Sequence, residues 1–250
     1  MNRYLIYFVR RIKKILSTPV LWVGYFKDYF LFKKLLSKEN RGFDMGVKDL
    51  YPCLDDKTNK MSFDFHYTYH PAWAARIIAK VKPEFHVDIS SVLYFSAIIS
   101  AFVPVKYYEY RKTNIHLDNL ITGEADLLSL PFLDNSIKSI SCMHTIEHVG
   151  LGRYGDSIDP NGDLKAIKEL KRVLATDGSL LLVVPVGKPK IYFNGQRVYS
   201  YNQIIDYFSG LTLKEFTLIT MDGKMIRDAD RNLVDKDDYG CGCFWFMKKI

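Results

Sequence analysis

The stretch Gly123–Val149, GEADLLSLPFLDNSIKSISCMHTIEHV, carries an acid (Asp126), an apolar run (Ser139–Met143) and then His144-Thr-Ile-Glu-His148. Taken alone, His-x-x-Glu-His is half of a zinc site. That reading needs a helix to set both histidines on one face and a further ligand downstream, for which Glu215 is available. Here the residues before His144 read as a strand, and a turn, Gly150-Leu-Gly152, follows directly. The context fits the end of a buried strand opening onto a site, and no metal is expected from the motif.

Working outward, the same punctuation recurs. Upstream, Phe85–Ile89, Val105–Tyr110 and Leu120–Thr122 read as short strands, with an apolar helix over Val92–Phe102. Downstream, Gly162–Leu174 is an amphipathic helix closed by Asp177-Gly178, and Ser179–Pro185 is a nearly all-apolar strand. Continuous apolar runs between helices mark strands buried on both faces, hence a parallel sheet. A helix over Ser200–Phe208, a strand over Leu211–Thr220, a polar excursion over residues 222–238 and a last strand over Cys241–Met247 follow. The fold class expected is α/β: Rossmann-like, doubly wound, mostly parallel with an antiparallel edge strand, and preceded by an N-terminal helical extension.

The boundary of that extension shows in the charge. The 250 residues carry 35 Lys and Arg against 28 Asp and Glu. Residues 1–40 hold nine of the bases and two of the acids, leaving 26 of each elsewhere. All the excess positive charge therefore lies in the first forty residues; residues 1–62 form the expected extension and linker, and residues 63–250 the expected main domain. Within residues 1–38, Tyr4, Leu5, Phe8, Ile12, Ile15 and Leu16 alternate with basic positions at helical spacing, and Ser17-Thr18-Pro19 predicts a break before a second amphipathic piece, Leu21–Leu36. One reading lays these helices on an anionic membrane surface; the other packs them on the main domain with their charges in water. Leu5–Val9 is too short for a secretory signal, and neither it nor Val20–Phe26, cut off by Lys27-Asp28, approaches the roughly 18 residues of a membrane span. The four cysteines lack disulfide spacing, which points to a reducing, cytoplasmic compartment. No nucleic-acid motif accompanies the basic segment, so a nucleic-acid partner is not expected.

In an open parallel sheet the ligand lies across the carboxyl ends of the strands. The residues at those ends are Asp88, Ser90 and Ser91, then Glu109, then Asp126, then His144, with the acids and the histidine at intervals of 21, 17 and 18 positions. An acid about 20 residues past the first strand turn suits the ribose hydroxyls of a nucleoside ligand.

From Phe85 to Pro185 the chain resembles the class I S-adenosylmethionine (SAM) dependent methyltransferases, of methyltransferase type 11-like kind. The likeness is carried by GEADLLSLPFLDNSIKSISCMHTIEHV and by DLKAIKELKRVLATDGSLLLVVPV (Asp163–Val186). The run GLGRYGDSIDPNGD (Gly150–Asp163) and the ending YGCGCFWF (Tyr239–Phe246) resemble a narrower family of unknown function met in bacterial polysaccharide gene clusters. The resemblance implies SAM as cofactor, with Asp88, Ser90 and Ser91 at its methionine and ribose end, Glu109 on the ribose hydroxyls, Asp126 and the Leu127 backbone at the adenine, and His144 beside the sulfonium. Where such proteins carry Gly, this chain has Ser90, Val92 and Tyr94. Tyr94 is assigned to the inner face of its helix.

The acceptor side follows from position. His148 and Glu147 lie just past the fourth strand, where an acceptor hydroxyl approaches the methyl group. Histidine, with an unperturbed pKa of about 6.5, suits proton removal, with Glu147 orienting it; the other reading has the pair capping the turn. His66 and Tyr67, in an aromatic cluster before a helix expected over Pro71–Lys82, suit stacking on a flat ligand or a sugar, or else edge the core. Arg153 and Tyr154, in a long Gly-punctuated loop, suit a substrate contact, with Arg153 on an anionic group. The expected function is O-methylation of a sugar or glycan precursor of cell-envelope polysaccharide, in the cytoplasm or peripherally at the inner face of the membrane. The alternative is a non-catalytic scaffold or binding protein of a membrane-associated glycan assembly complex.

Overall fold

The computed structural model describes the backbone of residues 3–39, 41–111, 113–236 and 238–249, and side chains from residue 18 onward except 235 and 236. Residues 1–62 and 63–250 form two compact units. In the first, one helix, α1 (Arg3–Leu36), runs straight through Pro19, so the expected break does not occur. A proline inside a helix removes one hydrogen bond and costs about 3 kcal/mol, which long helical stretches on both sides can carry. Val20, Val23, Phe30, Leu31, Phe32 and Leu35 of α1 are exposed, whereas the side chains of Tyr4, Leu5, Phe8, Ile12, Ile15 and Leu16 lie outside the described residues. Among the described residues no helix is long and apolar enough to cross a membrane.

The second unit opens with α2 (Phe65–Val81), which starts six residues earlier than Pro71 suggested. The Asp64 carboxylate accepts from the Tyr67 N–H at 2.9 Å, an N-cap that begins the helix there. Pro71 therefore sits in the helix interior and leaves the Tyr67 carbonyl without its i+4 donor. The Tyr94 hydroxyl supplies one at 2.7 Å, which corrects the inner-face assignment of Tyr94: its ring is 48% exposed and its hydroxyl repairs the neighbouring helix.

Then come β1 (His86–Ile89), α3 (Leu93–Ile99), β2 (Val105–Glu109), β3 (Leu120–Glu124), β4 (Ile137–Met143), α4 (Gly162–Val173), β5 (Leu174–Val186), β6 (Lys190–Tyr192), β7 (Gln196–Val198), α5 (Tyr201–Tyr207), β8 (Thr212–Ile219), β9 (Met225–Ile226) and β10 (Gly240–Met247). The main sheet has the order β3-β2-β1-β4-β5-β10-β8-β9. β3 to β5 are mutually parallel. β10 is antiparallel to both β5 and β8, so the long antiparallel strand lies inside the sheet, and the antiparallel strand at the edge is the two-residue β9. β6 and β7 form a separate hairpin that periodicity did not reveal.

The two faces are covered by different helices, as the apolar alternation requires. Leu180, Leu182 and Val184 of β5 and Phe244 and Phe246 of β10 pack with α4 and α5. Leu181 and Val183 of β5 and Cys241 and Cys243 of β10 pack with Trp73, Ala74, Ile77 and Ile78 of α2 and Phe95 and Ile99 of α3. Burying both faces leaves the strand ends as the only places where the sheet can present polar side chains to a ligand. Strand order reverses between β1 and β4, and the carboxyl ends on either side of that switch form a crevice.

Candidate functional site

The crevice holds a cavity of about 170 Å³. Its wall draws Ser90 from the end of β1, Glu109 from β2, Asp126 and Leu127 from beyond β3, His144 and His148 from beyond β4, and Tyr154 from the following loop. Seven of the thirteen expected site residues thus share one cavity. Ser90 occupies a position where glycine was expected and holds φ at 54°, a conformation that side chains adopt reluctantly. Its N–H donates to the Tyr108 carbonyl at 2.7 Å and its hydroxyl to the same oxygen at 3.2 Å, which fixes a glycine-like turn without glycine.

Asp88 and Ser91 are not in the lining. Asp88 is fully buried; its carboxylate accepts from the Ser96 hydroxyl of α3 and, at 2.6 Å, from the Ser141 hydroxyl of β4. Ser141 in turn receives the His86 Nε2–H at 2.9 Å, and His86 Nδ1 accepts from the Ser139 hydroxyl at 2.8 Å. This hydrogen-bonded chain holds His86 neutral, its pKa pushed by burial to about 3. Burial raises Asp88 to about 6 against the lowering pull of its serine donors. Ser91 Oγ accepts from the Met143 N–H at 3.1 Å. The expected contact of Asp88 and Ser91 with a cofactor is thus corrected: the side chains turn inward, toward α3 and β4.

Glu109 and Asp126 keep acceptor capacity toward the cavity. Glu109 Oε1 accepts from the Tyr110 N–H at 2.9 Å and Oε2 is 3.3 Å from the exposed Arg111 guanidinium. Asp126 Oδ1 accepts from the Leu128 N–H at 2.8 Å, which shapes the turn that sets Leu127 against the cavity.

Glu147 does not touch the cavity. It is buried, with Oε1 2.9 Å from His144 Nδ1 and 3.8 Å from His148 Nε2. Burial opposes a charge on His144, yet the Cys241 sulfur, 3.5 Å from Nε2, and the Glu147 carboxylate outweigh it and hold its pKa above the ordinary value. The group that orients His148 is instead the Gly195 carbonyl, at the β6–β7 turn, which accepts from Nδ1–H at 2.6 Å. The Nε2 lone pair of His148 is therefore the free one. A helix presenting both histidines of His-x-x-Glu-His on one face is absent; Ile146–His148 is a single 3-10 turn.

Sequence reasoning missed Arg197. It is 4% exposed and its guanidinium donates to the carbonyls of Val149 at 2.6 Å and Pro160 at 3.2 Å, with Asp163 3.5 Å from Nε. The long loop after β4 is thus held from within by one cation on β7. Asp156 holds it from the other side: burial works against its charge, but the N–H groups of Tyr154, Gly150 and Gly152 keep its pKa lowered. A basic residue inside the NGQRVY turn was the only signal in the sequence.

Of the expected substrate residues, Tyr154 lines the cavity, with the guanidinium carbons of Arg111 and Arg153 4.9 and 5.1 Å from its ring centroid. Arg153 reaches the Gly195 carbonyl at 3.4 Å and stays outside the lining. His66 and Tyr67 are elsewhere too. Tyr67 stacks on the His144 ring at 5.3 Å, its hydroxyl pKa raised to about 12, chiefly by burial. His66 stacks on Tyr239 at 5.6 Å, its pKa lowered by burial and by His144.

Residues 132–224 match a family described as "Caenorhabditis protein of unknown function, DUF268". An uncharacterized protein of Methanocaldococcus jannaschii is 29% identical over 94 residues, 38% of this chain and 34% of that protein. The chain spans about a third of the length of this curated relative. Among solved structures, the Burkholderia thailandensis 1,6-didemethyltoxoflavin-N1-methyltransferase with bound S-adenosylhomocysteine has a TM-score of 0.53 at 8% identity, covering 73% of this chain and 79% of that one. The [4+2]-cyclase SpnF has 0.53 at 12%, covering 72% and 82%. YcgJ of Bacillus subtilis has 0.50 at 15%, covering 72% and 99%. At such identities the likeness concerns architecture, and the chain has the Rossmann-like fold of the methyltransferases.

Proposed function

We propose that this protein is a SAM-dependent methyltransferase acting at oxygen on a sugar or glycan precursor of cell-envelope polysaccharide. The observation that carries the reading is the cavity at the switch point, which gathers Ser90, Glu109, Asp126, Leu127, His144 and His148 from four successive strand ends. The residues fit the cofactor in two respects: the Ser90 turn keeps a glycine-like backbone, and Glu109 and Asp126 each face the cavity with an oxygen not tied into the backbone. Glu109 would hold the ribose hydroxyls, Asp126 and the Leu127 backbone the adenine, and His144 the sulfonium end. SAM, when bound, supplies a methyl group activated by its positive sulfur.

An alcohol oxygen is a weak nucleophile until its proton is leaving. His148 meets that need, because Gly195 fixes its proton on Nδ1 and leaves Nε2 free to accept another. Glu147, 3.8 Å from Nε2, favours the imidazolium that forms. Tyr154, flanked by two guanidinium groups, brings positive charge to the cavity wall for an anionic substituent of the acceptor. A cytoplasmic location, with residues 1–38 resting on the inner face of an anionic membrane, completes the reading; its support is the concentration of positive charge there. Calorimetric titration with SAM and with S-adenosylhomocysteine is the test: micromolar binding is expected, and no heat at millimolar ligand ends the catalytic version.

One observation favours the non-catalytic alternative. Val92 and Tyr94 fill positions where the methyltransferases carry glycine. A scaffold would keep its cellular role when Asp126 is replaced by Ala, and an enzyme would lose it.

A further inference from the structure

Three segments far apart in the chain meet at one place: the first turn of α2, the end of β4 and the start of β10. They bring His66, His144 and Cys241 together so that one donor atom of each lies within 4.8 Å of the others. His144 Nε2 and Cys241 Sγ are 3.5 Å apart. A tetrahedral zinc ion, with bonds of about 2.3 Å to sulfur and about 2.0 Å to nitrogen, sets that edge at about 3.6 Å. The edges to His66 need to shorten by no more than about 1.5 Å to reach the same geometry. A half-buried side chain in the first turn of a helix covers that by rotation.

The surroundings have the same chemistry. Glu147 Oε1 engages His144 Nδ1 at 2.9 Å, which turns Nε2 toward Cys241. A buried carboxylate on the far nitrogen of an imidazole is the usual support of a metal-bound histidine. His70, one turn on from His66, is fully buried, and its ring centroid is 5.0 Å from that of His144. Its Nδ1–H donates to the His66 carbonyl at 2.7 Å, and its Nε2 lone pair has no hydrogen-bond partner. Leaving a buried acceptor unpaired is costly, and a water bound to the ion would relieve it. A thiol–imidazole hydrogen bond accounts for the Cys241–His144 contact and ring stacking for the place of His66, but neither gives the bare nitrogen of His70 a partner.

We propose that His66, His144 and Cys241 form a binding site for one zinc-class divalent metal ion, with a fourth coordination position open to water or a ligand atom beside His70. Two imidazoles and a thiolate are a borderline donor set that suits zinc over magnesium or calcium. On binding, the Cys241 thiol proton and the His144 Nε2 proton leave to solvent, and both imidazoles coordinate as neutral ligands. The site crosslinks α2, β4 and β10, and it shares His144 with the cavity wall.

The test uses the full chain, stripped with chelator and titrated with Co²⁺ as a spectroscopic probe and then with Zn²⁺ in competition. One equivalent is expected, with the visible bands of tetrahedral cobalt and a thiolate charge-transfer band, both displaced by zinc. Cys241→Ser abolishes the charge-transfer band. His66→Gln, at a half-buried position where folding is checked by circular dichroism, weakens binding at least about 10-fold, and Glu147→Gln weakens it about 10- to 100-fold. Cys53→Ser, at the exposed cysteine, leaves the titration unchanged. No stoichiometric spectrum in the unmodified chain, or the same spectrum in a folded His66→Gln variant, overturns the proposal, as does a spectrum lost only with Cys53. The readout does not involve SAM, so this site and the methyltransferase reading fail separately.

Discussion

Asp88→Asn should make the protein more stable at neutral pH, and the gain should fade in acid. Asp88 is fully buried, and burial raises its pKa from 3.8 to about 6. An acid whose folded pKa lies above its unfolded value opposes folding wherever both states are ionised, and stops opposing it once both are protonated. With each pKa unit worth about 1.4 kcal/mol, the cost at pH 7 is about 3 kcal/mol, falling to about 1 kcal/mol at pH 4.5. The amide has no charge to desolvate; its oxygen can accept from one serine hydroxyl while its NH₂ donates to the other, Ser96 or Ser141. The measurement is urea unfolding of both proteins at several pH values from 4.5 to 7.5. His86 titrates in both chains, so the difference between them isolates position 88. The stability difference should grow by about 2 kcal/mol from pH 4.5 to pH 7. A difference that does not change with pH refutes the assignment of Asp88 as a buried, desolvated carboxylate.

Three further outcomes follow from the site. His148→Gln should lower kcat by about 10²- to 10⁴-fold in a methyl-transfer assay, as loss of a general base does; retention of full turnover removes His148 from the chemistry. Gly150→Ala places a Cβ 2.1 Å from the Asp159 carbonyl oxygen at a φ of +81°, so thermal unfolding should show a loss of about 2–3 kcal/mol, a drop of roughly 5–10 °C; an unchanged melting temperature contradicts the loop geometry. Arg197→Met removes the cation that holds the Val149 and Pro160 carbonyls, and limited proteolysis should then cut between Gly150 and Gly162. Cleavage at the same rate in both proteins argues that the loop is held by Asp156 alone.

Patterns local to one element were legible in the order of the residues. The all-apolar core of β5 and the apolar run of β4 announced strands covered on both faces, and Gly162–Val173 announced the helix between them. Features set by a single competing interaction were misread. Pro71 looked like a helix start until Asp64 capped the chain seven residues earlier, and the serine and proline at residues 17–19 looked like a break within what is one helix. The β6–β7 hairpin has too few residues for its period to show, yet it delivers both Gly195 and Arg197 to the site.

From the residues alone came the α/β class and the idea that polar groups at strand ends form a site, because burial of a strand or helix leaves a period that needs no partner to be seen. Which of those groups meet was decided only in three dimensions. Asp88 ends two residues from the cavity-lining Ser90 yet faces inward to serines on α3 and β4. Cys241 lies 97 positions from His144, and their contact exists because β10 enters the sheet beside β5 in the antiparallel sense. Side chains from separate strands converge according to strand order, direction and register, and none of these is written into the spacing of the residues themselves.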